Sequence, residues 1–186
     1  MRAQGSRRFS GRGFLRAYLR VGILISLIVV AVGLSTLLSA TLSAIFGYGF
    51  SYYAGASPDP RTLDWLNGTT TTLIGLIFLG VHSWGSRTAE TREERANSEL
   101  SRLTAAVGAI VFGLVTIIGL VTGVSAALTQ IFVRGSENQP GPPLAAGIIF
   151  GAGWAWFVAG VFQHLRRDQP PPPGEEATSP AEAPAT

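Results

Sequence analysis

The sequence predicts an all-α membrane protein: a four-helix transmembrane bundle of two parallel, duplicated helical hairpins, with both termini in the cytoplasm. Three observations predict it. Apolar residues gather into four stretches, roughly 15–47, 69–84, 103–133 and 144–162, and a spanning helix needs about 20 mostly apolar residues. The 14 basic residues are all arginine, and 12 of them fall on one side if every stretch spans. The chain also resembles itself at an offset of 86 residues.

Taken in order, residues 1–13 form an arginine-rich cytoplasmic N-terminus with Arg2, Arg7, Arg8 and Arg12. Arg16 and Arg20 follow at the base of span one. Short loops rich in Lys and Arg stay cytoplasmic, so these residues hold the N-terminus inside. Ser6-Arg7-Arg8-Phe9 is similar to part of a twin-arginine signal, yet the apolar run behind it is far longer than a signal core, so span one is expected to be retained. Ser35, Ser39, Thr41 and Ser43 lie in its outer half, where their hydroxyls can bond back to the helix backbone rather than mark a polar path. The outer loop carries Tyr48, Phe50, Tyr52, Tyr53 and Trp65, read as an aromatic belt at the water boundary. Span two returns the chain, completing a first two-helix repeat at 14–87.

Residues 88–101 form a charged cytoplasmic connector, where mixed signs suit a solvated helical face. Thr91 with Glu94 fits a capping box, and Glu99 with Arg102 a helical pair. The second two-helix repeat occupies 102–167. Its short outer loop holds Arg134 and ends in Pro142 and Pro143, which suit the first turn of a helix because no backbone donor is needed there. Residues 168–186 are a proline-rich, acidic tail that cannot bury enough apolar area to fold.

Composition narrows the chemistry. The chain has no cysteine, which excludes disulfides, thiolate metal sites, iron–sulfur clusters and cysteine nucleophiles. It also has no lysine, hence no Schiff-base chemistry. The net charge of +3 flanks hydrophobic spans instead of accompanying a groove-reading motif. The expected partner is therefore a bilayer with anionic headgroups at its cytoplasmic face, and not nucleic acid.

At the 86-residue offset, 37–49 lies over 123–135 with six identities: Ser39/Ser125, Ala40/Ala126, Leu42/Leu128, Ile45/Ile131, Phe46/Phe132 and Gly49/Gly135. The same offset pairs Arg16 with Arg102, Gly22 with Gly108, and Gly33-Leu34 with Gly119-Leu120. With the second loop shortened by six, Gly80-Val81 meets Gly160-Val161 and Arg87 meets Arg167. Parallel repeats about the membrane normal follow, with Arg16, Arg87, Arg102 and Arg167 as the topology-setting residues.

An arginine opens each unit, Arg16 in Phe14-Leu15-Arg16-Ala17-Tyr18-Leu19 and Arg102 before Leu103. The first unit closes on Gly80-Val81-His82-Ser83-Trp84. In these features the chain resembles a family of uncharacterised bacterial multi-pass membrane proteins built from tandem two-helix repeats. The second unit departs from that exit, reading Phe162-Gln163-His164. The resemblance implies a membrane-embedded repeat architecture and brings no catalytic residue with it.

Within the predicted hydrocarbon depth there is no Asp, Glu or Arg, so no charged relay of the kind that marks proton or ion paths is expected in a monomer. No phosphate loop, dinucleotide fingerprint or nucleophile elbow appears. His82 and His164, at the cytoplasmic ends of the returning helices, are the candidate haem ligands, weighed against a plain interfacial role. The small residues carry more. Gly147 and Gly151 form a GxxxG extended at the same spacing by Ala155 and Ala159, and Gly119 and Gly123 form another, with Ala105 and Ala109 ahead of it. Small residues let membrane helices approach closely, and this stripe is suited to meet span four or another protein. The expected function is a non-enzymatic structural, accessory or assembly subunit of the bacterial inner membrane, without a cofactor or a metal. An oligomeric transporter or channel component, and a haem-binding membrane subunit, are the alternatives.

Overall fold

The computed structural model describes residues 11–46, 59–89, 99–133 and 139–167. They form four helices, with no strand among them: α1 (Gly11–Phe46), α2 (Pro60–Ala89), α3 (Glu99–Phe132) and α4 (Gly141–Arg167). The aromatic residues from Tyr48 to Tyr53, the capping box of Thr91 with Glu94, Arg134 and the proline-rich tail lie outside the described residues. Three helical segments, Gly13–Ile45, Glu99–Phe132 and Gly141–Arg166, are long and apolar enough to cross a membrane. At 1.5 Å per residue the 36 residues of α1 extend for roughly 54 Å, well beyond a hydrocarbon core of about 30 Å.

The helix α2 differs from its expected bounds. It starts at Pro60, nine residues before the expected span. The backbone N–H groups of Thr62 and Leu63 donate to the Asp59 carbonyl at 3.0 and 3.3 Å. Proline in the first turn needs no donor and arrives with a helical φ. Trp65, expected in the outer loop, therefore sits on a helix, 45% exposed. The polar first half of α2, with Asp64, Asn67 and Thr69 to Thr72, is what keeps it below the apolarity of the other three. Thr72 donates to the Gly68 carbonyl at 2.7 Å. At the start of α4 the expected proline turn is present, with the Leu144 N–H donating to the Pro140 carbonyl at 3.1 Å.

Glycines set the helix contacts. A Cβ on Gly33 would collide with the Thr72 backbone, and one on Gly75 would lie 2.9 Å from the Val30 backbone nitrogen. Gly68 abuts Leu37 and Gly22 abuts the His82 ring, so α1 and α2 run antiparallel along their whole length. In the second pair a Cβ on Gly119 would come within 2.8 Å of both the Gly147 nitrogen and the Pro143 carbonyl oxygen. Gly123 abuts Leu144, Gly151 abuts Thr116, and Gly108 abuts Phe157. The glycine stripe of α3 thus meets α4. The extension of the Gly147–Gly151 pattern along α4 does not continue the contact: Ala155 is exposed and Ala159 borders a cavity.

The four helices do not form a square bundle. α1 packs on α2 with one face and on α4, with a smaller contact to α3, on the other, while α2 barely touches α3 or α4. The core lies on the second face of α1, where Ala31, Phe112, Phe150 and Phe157 are buried among Leu24, Leu27, Ile28, Val111 and Ile149. The Phe112 ring lies 5.0 Å from that of Phe150 and 5.2 Å from that of Phe157, both tilted. Tilted aromatic pairs of this kind add about 0.5–1.5 kcal/mol each beyond their burial.

Candidate functional site

The antiparallel registers bring one end of every helix together. The start of α1 with Arg16 and Arg20, the end of α2 with Arg87, the start of α3 with Arg102 and the end of α4 with Arg166 share one end of the molecule. Pro60 and Pro140 mark the other. Arg87, Arg102 and Arg166 are exposed, and Arg16 and Arg20 are half-buried.

Two cavities meet at the arginine-bearing end of the α1–α4 contact. The first, of about 310 Å³, is bordered by Arg20, Ser101, Thr104, Gln163 and His164, with Leu24 and Trp156 behind them. The second, of about 250 Å³, is lined by apolar residues, among them Leu34, Phe112, Ile149 and Ala152. Leu27, Trp156 and Phe157 border both, so the two form one groove that is polar at the arginine end and apolar toward mid-helix. Among the described residues that line it, none is a carboxylate. The Thr104 hydroxyl donates its proton to the Leu100 carbonyl at 2.7 Å, within its own helix. Ala105 borders the polar part and Ala109 flanks the aromatic core.

His82 lies elsewhere. It borders a cavity of about 330 Å³ between α1 and α2, together with Tyr18, Gly22, Ile25 and Val29. Its Nδ1 is 2.8 Å from the Phe78 carbonyl, and its ring is 5.7 Å from that of Tyr18. On a helix of 3.6 residues per turn, Tyr18, Gly22 and Ile25 face away from Arg20, Leu24 and Leu27. α1 therefore stands between His82 and His164, and the fold does not bring the two imidazoles together as axial ligands of one haem would require. Among the described residues no cluster of three or more His, Cys, Asp or Glu is placed to hold a metal.

Five hydroxyls of α1 are engaged with their own helix. Ser26, Ser35, Thr36 and Thr41 each donate to the carbonyl four residues back, at 2.7 to 3.1 Å, and Ser43 donates to Ala40 at 2.8 Å. Ser35, Ser39 and Ser43 are also fully buried between helices.

One buried acid has no counterpart among the expected site residues. Asp64 is 0% exposed and engaged within the fold. Gly68 stands against Leu37, so Asp64, one turn earlier on α2, is level with Ala40 and Ser43 on α1, both buried. The signal was present in Asp59-Pro60: a capping acid followed by proline starts a helix and draws Asp64 into it.

No family model, no curated protein and no solved structure matches this chain.

Proposed function

We propose that the chain is a four-span subunit of a bacterial inner membrane, with a structural, accessory or assembly role and both termini in the cytoplasm. Integral membrane insertion rests on the three long apolar helices. The fourth span, α2, follows from its pairing with α1 over their full common length, since a helix packed that way crosses wherever α1 crosses. Its threonines are compatible with lipid where the hydroxyl returns to the backbone, as in Thr72. The gathering of arginines at one end supports the orientation, by the bias of basic loops toward the cytoplasm. Duplication of the hairpin is supported by the register of the contacts. Gly75 abuts Val30 and Gly151 abuts Thr116, and Val30 and Thr116 are 86 residues apart.

The observation that carries the accessory role is the use made of the polar groups. The α1 hydroxyls that an oligomeric channel would need along its path bond back to carbonyls, several of them in the buried interior. The outward faces are meanwhile apolar: Leu73, Ile77, Phe78 and Val81 on α2, and Ile110, Ile117, Ile118 and Val121 on α3, are all exposed. In a bilayer such faces meet lipid or other helices.

Purification in mild detergent, with mass analysis and an absorption spectrum of the eluate, tests the role. The expected result is a stoichiometric membrane-protein partner or self-assembly, and no haem band. A lone monomer in every mild detergent contradicts the accessory reading. Solute flux through liposomes holding this protein alone would instead favour transport.

A further inference from the structure

We propose that this chain assembles with further copies of itself, the outward face of α2 in one copy docking on the outward face of α3 in the next, as α4 docks on α1 within the chain. It rests on the membrane reading and the hairpin duplication proposed above, and adds to them a partner and a pair of faces.

The leading helices α1 and α3 correspond at an offset of 86 residues, and the contacts set the offset of the returning helices at 76. Gly75 against Val30 recurs as Gly151 against Thr116. Gly68 against Leu37 recurs as Leu144 against Gly123, with the glycine moved to the other helix. The two hairpins are thus packed alike, but they are not joined symmetrically. A two-fold relation would match the α1–α4 contact with an α3–α2 contact, and α2 barely touches α3. Repeats that meet through two different faces leave one of those faces unused at each end of the row.

Both unused faces are apolar and open. On α1, Leu24, Ile28, Ala31 and Ser35 lie against the second hairpin. Their equivalents on α3 are Ile110, Leu114, Ile117 and Val121, each 56 to 65% exposed. On α4, Ile149, Phe150, Gly153 and Phe157 lie against α1. Their equivalents on α2 are Leu73, Ile74, Ile77 and Val81, each 47 to 66% exposed. Bulk is exchanged in a compensating way. Within the chain, Phe150 and Phe157 cluster with the small Ala31, and Phe150 shares a cavity with Ser35. Across copies, the smaller Ile74 and Val81 would face the larger Ile117 and Val121. Close packing of this kind is what holds helices together in lipid.

Disulfide trapping between copies is the test. Ile77 and Ile117 are the equivalents of Gly153 and Ala31, which border one cavity, so they are level across the contact. The chain has no cysteine of its own. Two differently tagged full-length chains, one Ile77→Cys and one Ile117→Cys, are to be co-expressed and oxidised in the membrane. The expected product is the mixed dimer, with little Ile77→Cys or Ile117→Cys chain joined to its own kind. Ile77→Trp, and separately Ile117→Trp, should each convert the assembly to monomer in mild detergent with helix content unchanged. Leu165→Trp, exposed on α4 and outside both faces, should leave the assembly intact. If a tryptophan variant does not fold, the mixed disulfide still decides. Self-assembly without the mixed disulfide, or with same-kind dimers dominant, would overturn the proposal and leave the accessory role standing. A different polypeptide released by the tryptophan variants would do the same. A lone monomer in every mild detergent would overturn both, and release of the chain by an alkaline carbonate wash would sink the membrane reading itself.

Discussion

Close approach of backbones at a few glycines sets how these helices meet, and substitutions there separate packing positions from open ones. A side chain at Gly119 must displace the backbone of α4 at Gly147 and Pro143. Gly119→Leu is expected to lower the unfolding free energy by about 1–3 kcal/mol, the range of overpacked sites. A methyl group on Gly80 would meet nothing within 4 Å, so Gly80→Ala should be neutral or stabilising by up to about 1 kcal/mol through helix propensity. Denaturation in mixed micelles reads both, and a large loss at Gly80 would contradict the packing described. Asp64 belongs to the same scale. Because it is fully buried and engaged, Asp64→Leu should cost about 1–3 kcal/mol by leaving a polar neighbour unsatisfied. Asp64→Asn, which keeps an acceptor oxygen, should cost less. The glycine spacing was legible in the sequence because small-xxx-small patterns have a direct mechanical meaning. The burial of Asp64 was not, since hydropathy weighs a residue by type and ignores the cap that starts its helix.

The four helices were legible from their apolar runs, and their ends less so. Hydropathy marks where the apolar part begins, whereas Asp59 and Pro60 mark where the helix begins, nine residues earlier. Along α1 and α3 the 86-residue offset superposes Gly22 on Gly108 and Gly33 on Gly119, all of them contact glycines. In the returning helices the contacts equate Gly75 with Gly151, about one turn from the Gly80/Gly160 pairing that sequence identity suggested. A Cβ at Gly80 or Gly160 would meet nothing within 4 Å, so their identity carries no packing information. The order of contacts adds an expectation that no sequence pattern contained. α2 is held by α1 and barely touches α3 or α4. Gly75→Leu should therefore loosen α2 alone, raising its amide exchange while the Phe112 core stays protected. Uniform loosening of all four helices would contradict an edge position for α2.

The whole molecule follows from two kinds of information that largely do not overlap. Arginine placement gives the connections expected to stay inside, and glycine registers say which helix ends lie together. Both put Arg16, Arg87 and Arg102 at one end. The groove at that end was invisible in the sequence, because Arg20, Ser101, Gln163 and His164 come from three helices whose rotation no single helix reveals. The haem alternative was undecidable there for the same reason, since only the fold shows α1 standing between the two histidines. The four-span fold depends most on whether α2 crosses the bilayer. The absence of native cysteine makes single-cysteine labelling clean, and Asp59→Cys and Thr88→Cys flank α2 at exposed positions. In intact bacterial cells expressing either variant, an impermeant maleimide should label the Asp59→Cys chain from outside. It should reach the Thr88→Cys chain only after the inner membrane is opened. Labelling of both positions from the same side would contradict the four-span fold.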